Sequence, residues 1–265
     1  MKAVLNAYGR ALRSQVRGRM LLLSIAPTVL SLVLWAAILY FSWDPAFNYV
    51  QDQFLEHELY RYSSSWLATL GLAAVKTIIV PLIMILALVP LMILTALIFI
   101  GVAAMPAIVR HVGGEHYPKL EMKKGGTLAG SVAAALGGFC IFALVWLVTL
   151  PLYAFPPAAL ALQVLLWGWL TARVMAYDAL ADYASPEELQ QLRRDHRWGL
   201  VAIGVVSGAA GAIPGVVWLV GTAAAVMLFP FLAAISIWLY VLIFLFTGLW
   251  FQYYCLEALA KQRAA

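Results

Sequence analysis

The chain has 265 residues, of which 65% are hydrophobic and 11% charged, with a mean hydropathy of +0.92 and a formal net charge of +5. Hydropathy that high excludes a soluble globular domain, and several apolar runs exceed the ~20 residues that cross ~30 Å of hydrocarbon. In such a chain Lys and Arg report orientation in the bilayer, so the basic excess is no sign of nucleic-acid binding.

Lys2, Arg10, Arg13, Arg17 and Arg19 form a basic N-terminal arm. It is long for a signal-peptide n-region, and no small-residue cleavage site follows a short apolar core, so a retained helix is expected. That first membrane helix reads as Met20–Phe41. Pro27 lies inside it, with Ser24 near enough to satisfy a freed carbonyl. The polar, aromatic segment "SWDPAFNYVQDQFLEHELYRYSSS" reads as surface, with an interfacial helix over Ala46–Tyr60. Trp43, Tyr49, Tyr60, Tyr62 and Trp66 suit the headgroup level.

The second run, Trp66–Val109, spans 44 residues and is interrupted only by Lys76. As one straight helix it rises about 66 Å, so protrusion, tilt or breaks at Pro81, Pro90 and Pro106 are expected. A basic island, Arg110–Gly126, reads as a solvated loop, and contact with anionic lipid is the competing reading. Thr127–Tyr153 then leads through Phe155-Pro156-Pro157 into Ala158–Ala172, whose 15 residues rise only about 22 Å. Another charged island extends from Met175 to Leu200. After it come a glycine-rich run, Gly199–Gly221, broken at Ile213–Gly215, and a final run, Thr222–Leu256, with a break expected at Pro230. The tail carries Lys261 and Arg263.

These segments predict an all-α integral membrane protein, one membrane domain over 1–265. It comprises helix 1 (20–41), helix 2 (66–109), a proline-broken hairpin (127–172), a cytoplasmic surface helix (185–197) and a second broken hairpin (199–256). Whether the hairpins cross fully is left open. With three out-and-back excursions, 15 of the 17 basic residues fall on one side. Both termini are therefore expected in the cytoplasm, with 43–65 outside.

Ser185-Pro186-Glu187-Glu188 reads as a helix start: Ser185 as cap, Pro186 at the first helical position, Glu188 completing a capping box. Glu187 and Glu188 favour the positive end of that helix, and Arg193, Arg194 and Arg197 its negative end. No histidine or metal-ligand cluster accompanies these acids, which argues against a catalytic carboxylate pair. Cys140 and Cys255 have neither disulfide nor zinc spacing. No nucleotide-binding, haem or hydrolase motif is present, so no catalytic residue, metal or cofactor is expected.

Two features can engage a ligand. Arg17-Gly18-Arg19 precedes a helix: free N–H groups at a helix start attract anions, glycine permits close approach, and arginine adds bidentate recognition of oxyanions. The competing reading is an anchor touching lipid phosphates. Lys76 is a lone charge in an apolar run, where ionisable residues are functional candidates, although it can also snorkel to the surface. Arg193 and Arg194 sit at a helix C-terminus, where the dipole disfavours anions. Gly204/Gly208, Gly211/Gly215 and Gly130/Ala134/Gly138 have the small-xxx-small spacing of close helix packing.

The order of several motifs then becomes informative. Tyr177-Asp178, Asp182-Tyr183, the acidic-then-basic helix Glu187–Arg194, "RWGLVAIG" over Arg197–Gly204 and Ile213-Pro214 together resemble the CysZ sulfate-permease and etoposide-induced-protein family. The resemblance implies two long transmembrane helices, two hairpins of partial penetration, assembly as a homo-oligomer in the inner membrane, and uptake of sulfate or a related oxyanion. A non-transporting membrane scaffold is the alternative. A Gly-Leu-Arg motif of the permeases is replaced here by Arg17-Gly18-Arg19-Met20, and an Asp-Tyr-Pro motif by Asp182-Tyr183-Ala184.

Overall fold

The structure, a computed structural model, describes residues 2–56, 91–92, 95, 105–211, 213 and 225–264. The elements are α1 (Lys2–Gln15), α2 (Gly18–Glu56), α3 (105–116), α4 (Leu128–Val148), α5 (Pro156–Leu180), α6 (Pro186–Asp195), α7 (Arg197–Gly211) and α8 (Ala225–Ala264). A 3-10 turn, Leu150–Ala154, joins α4 to α5. No strand occurs among the described residues. Among the described residues, four stretches are long and apolar enough to cross a bilayer: Met20–Ser42, Ala129–Val148, Pro157–Leu180 and Ala234–Ala264. The protein is thus an all-α, multi-pass membrane protein, since helices satisfy every backbone group internally in hydrocarbon.

Several helix ends differ from the sequence reading. Helix 1, expected to stop at Phe41, continues through Asp44-Pro45 to Glu56. The final helix runs through Pro230 and includes Lys261 and Arg263, which were expected in a tail. A proline removes one hydrogen bond, and a helix otherwise held by its neighbours absorbs that loss. The short run Ala158–Ala172 belongs to a helix of 25 residues, about 38 Å long, so it is not too short to span. Arg173, Tyr177 and Asp178 therefore lie on α5, so the charged island begins inside a helix. Asp178 is accommodated there by the Ser131 hydroxyl, which donates to its carboxylate. Likewise the basic island is helical up to His116 before it becomes a loop. Most of the long helix expected over 66–109 lies outside the described residues.

The chain divides into two compact units, one of Met1–Leu23, Ile100–Ile213 and Leu242–Ala265, the other of Ser24–Phe99 and Pro214–Val241. In the second, the Ser31 hydroxyl donates to the Met92 carbonyl at 3.2 Å and Trp35 Nε1 donates to Thr95 Oγ1 at 3.3 Å. Such bonds give small hydroxyls a partner where no water competes.

In the first unit, α5 and α7 cross backbone to backbone. A Cβ on Gly204 would lie 2.1 Å from the Gly168 carbonyl oxygen, and one on Gly168 would lie 2.6 Å from Val205 Cα. The spacing of Gly204 and Gly208 is therefore a packing motif here. The loop before α4 lies on the turn after α5: the N–H groups of Lys124, Gly125 and Gly126 donate to the carbonyls of Asp182, Ala184 and Ala181 at 2.9–3.0 Å. Gly125 is required there, because a Cβ would meet the Ala184 carbonyl at 2.4 Å.

Helix α6 starts as its sequence dictates. Ser185 Oγ accepts from the Glu188 N–H at 3.2 Å, and Glu188 Oε2 accepts from the Ser185 N–H at 2.9 Å, a complete capping box. Leu189 and Leu192 are buried beneath it.

Candidate functional site

The first unit is tied together by polar contacts among α1, α3 and α8. Arg10 Nη1 donates to the Tyr117 hydroxyl at 3.0 Å, and the same guanidinium pairs with Glu257. Ser14 Oγ and the Tyr253 hydroxyl are 2.6 Å apart, and the Tyr253 hydroxyl lies 3.4 Å from His116 Nδ1. Burial holds His116 below its ordinary pKa, so the ring is neutral at pH 7 and can accept there. Trp250 Nε1 donates to the Val4 carbonyl at 3.0 Å, and Gln15 Nε2 donates to the Leu242 carbonyl at 2.9 Å. These bonds fix α1, and so fix where α2 begins.

The junction of α1 and α2 carries Arg17, Gly18 and Arg19. The Arg17 carbonyl accepts from the Met20 and Leu21 N–H groups at 2.9 and 3.1 Å. The amides just ahead of these, on Gly18 and Arg19, belong to the set that has no intrahelical acceptor. Gly18 is exposed, and a Cβ built on it meets nothing within 4 Å. The Arg19 side chain and all of Lys76 lie outside the described residues. The structure therefore brings Arg17 and Gly18 to one helix start, and gives no account of Lys76.

Two neighbours of this start, Glu115 and His111, were not singled out in the sequence. Arg17 pairs with Glu115 on α3, and the hydrogen bond from Arg17 holds the Glu115 carboxyl below its usual range. His111 Nδ1 lies 3.6 Å from the same carboxylate. A cavity of about 420 Å³ opens here, lined by Met20, Leu23, Ala107, Arg110, His111, Gly114 and Glu115. His111 is nearly buried, with its side chain 10% exposed, and its Nε2 has no hydrogen-bond partner. The mostly apolar cavity has Arg110, His111 and Glu115 in its wall, and Glu115 links that wall to Arg17 at the helix start. The Glu115 carboxylate occupies the Arg17 guanidinium in this structure. Only the i, i+4 spacing of His111 and Glu115 within the basic island hinted at this. Their meeting with Arg17 joins residues 98 positions apart.

Four helices long and apolar enough to span a bilayer among the described residues define a multi-pass, all-α membrane protein. A family model described as sulfate transporter CysZ/etoposide-induced protein 2.4 matches residues 7–221, which is most of the chain, and the chain belongs to that family. No curated protein and no solved structure matches it.

Proposed function

We propose that this protein carries a small inorganic oxyanion, sulfate in the first instance, across the inner membrane, and that Arg17, Gly18 and Arg19 bind it. The observation that carries this reading is the family match over residues 7–221. The chemistry at the start of α2 agrees with it. Sulfate gives up strong hydration on binding, so a metal-free site must supply N–H donors and positive charge in return. The helix start offers amides and a partial positive charge, and Arg17 and His111 add side-chain donors.

Sulfate titrated calorimetrically into detergent-purified protein tests the site. Arg19→Ala and Gly18→Val are expected to weaken binding about tenfold or more, through loss of a charge-assisted bond and steric blocking respectively. Gly18 faces open space, so its valine variant should remain folded. Arg194→Ala, on an exposed position of α6, should bind as wild type does. Wild-type affinity in both Arg19→Ala and Gly18→Val would remove this site.

The same reading places both termini, Arg110–Gly126 and Asp178–Trp198 in the cytoplasm, because 15 of 17 basic residues then lie inside, with Arg173 counted at the flank of the last of these segments. Single cysteines at Gln53, Lys119 and Gln190, in a background lacking Cys140 and Cys255, report on it. An impermeant thiol reagent on intact cells should label position 53 alone. Labelling at 119 or 190 contradicts the orientation.

A further inference from the structure

Glu115 stands in the last turn of α3, at the negative end of the helix dipole, where a carboxylate is disfavoured. Its main partner comes from outside that helix. The Arg17 guanidinium pairs with one carboxylate oxygen, and His111 Nδ1 lies 3.6 Å from the other. The carboxyl, held below its usual range by the Arg17 hydrogen bond, is ionised at pH 7.

This pair is open to exchange. Its side chains are 52% and 46% exposed, and an ion pair so well solvated is weakly held. A glycine on each side leaves room next to it. A Cβ on Gly18, beside Arg17, or on Gly114, beside Glu115, meets nothing within 4 Å. Gly114 and Glu115 also line the cavity of about 420 Å³ that Met20 and Leu23 of α2 help to wall. A Glu115 carboxylate that loses Arg17 keeps His111 as a neighbour, so the exchange strands no charge.

Glu115 acts on an oxyanion at the start of α2 in two ways. It occupies the guanidinium that the anion would use, and its negative charge repels a dianion. Both lower affinity. Transport requires binding weak enough for release as well as strong enough for capture. We propose that Glu115 is the resident counter-ion of the anion site: it pairs with Arg17 while the site is empty, yields the guanidinium to an arriving dianionic oxyanion, and takes it back as the ion leaves. This inference rests on the oxyanion reading of the helix start and adds to it the group that sets release. A purely structural ion pair predicts the opposite sign. If the bond only positioned Arg17 or fastened α3 to the start of α2, removing Glu115 would weaken binding. A competitor weakens binding by being present.

The test titrates sulfate calorimetrically into full-length protein in non-ionic detergent at pH 7 and low ionic strength. Wild type, Glu115→Gln, Glu115→Ala and Asp195→Asn are compared. Asp195 is an exposed acid on α6 and controls for net charge. Both Glu115 variants should bind sulfate about threefold to tenfold more tightly, the scale of one surface ion pair plus one like-charge repulsion. Labelled sulfate should leave them more slowly by a similar factor, since affinity differences at one site lie mostly in the dissociation rate. Asp195→Asn should match wild type in both measurements. If Glu115→Ala fails to fold, Glu115→Gln, which keeps the size of the side chain, decides alone. Equal or weaker binding in the Glu115 variants, tighter binding without slower release, or the same tightening in Asp195→Asn overturns this role for Glu115 and leaves the oxyanion reading standing. No sulfate binding by wild type overturns both.

Discussion

Replacing Arg263 with alanine is expected to cost about 3 kcal/mol of stability, the order seen when one partner of a largely buried ion pair is removed. Arg263 Nε and Nη2 donate to the two Glu188 carboxylate oxygens at 3.0 and 2.8 Å. Nη2 also donates to the Tyr183 carbonyl at 2.7 Å, and Nη1 to the Glu121 carbonyl at 2.9 Å. One planar fork thus ties the end of α8 to α6, to the turn after α5 and to the loop before α4. The side chains of the pair are only 19% and 17% exposed, so solvent screens them little. Arg263→Lys keeps the charge but cannot reproduce the fork, and its loss should be intermediate. Lys261→Ala serves as contrast, since that side chain is 68% exposed and its pair with Glu257 should contribute about 0–1 kcal/mol.

The same latch carries a pH dependence. The Arg263 hydrogen bonds, joined by those from Lys123 and the Ser185 N–H, lower the Glu188 carboxyl from 4.5 to about 2. A carboxyl with a depressed folded-state pKa stabilises the fold above its unfolded value, and that stability is lost as pH falls through the folded value. A depression of this size is worth about 3 kcal/mol. Thermal melts in detergent between pH 5 and pH 2 should therefore show a steeper loss for wild type than for Glu188→Gln. Parallel curves would mean that Glu188 is not held in this way.

Gly204→Val is the second large effect. Its Cβ alone would sit 2.1 Å from the Gly168 carbonyl oxygen and 3.0 Å from Ala172 Cβ. The obstructing atoms include backbone, so no rotamer change relieves the clash, and α5 and α7 must separate. Overpacking of this kind costs at the upper end of the usual range, about 3 kcal/mol. Gly211→Val should cost far less, because a Cβ there meets nothing within 4 Å. Comparing the two melting temperatures separates a steric effect from the loss of glycine itself, and equal shifts would contradict the backbone contact.

The membrane class, the cap of α6 and the packing role of Gly204 and Gly208 were legible because each rests on local pattern: hydropathy, the Ser-x-x-Glu spacing and the small-xxx-small repeat. Helix ends were less legible. Pro45 and Pro230 signal breaks in isolation, yet α2 and α8 run through them. Asp178 reads as part of a charged island in the sequence, and only the structure places it on α5 with Ser131 beside it. The candidate site was legible only at Arg17-Gly18-Arg19, where charge and helix start coincide in sequence. Glu115 and His111 reach it through tertiary packing, as Arg263 reaches Glu188 across 75 positions, and no periodicity encodes such meetings.

The central claim is that this chain moves a small oxyanion, and labelled sulfate uptake into liposomes containing the purified protein tests it most directly. The account predicts accumulation above protein-free liposomes, with Gly18→Val and Arg19→Ala at about a tenth of the wild-type rate or less at sub-saturating sulfate. Uptake no faster than in protein-free liposomes, from protein that is folded and correctly inserted, would contradict it and favour a membrane scaffold instead.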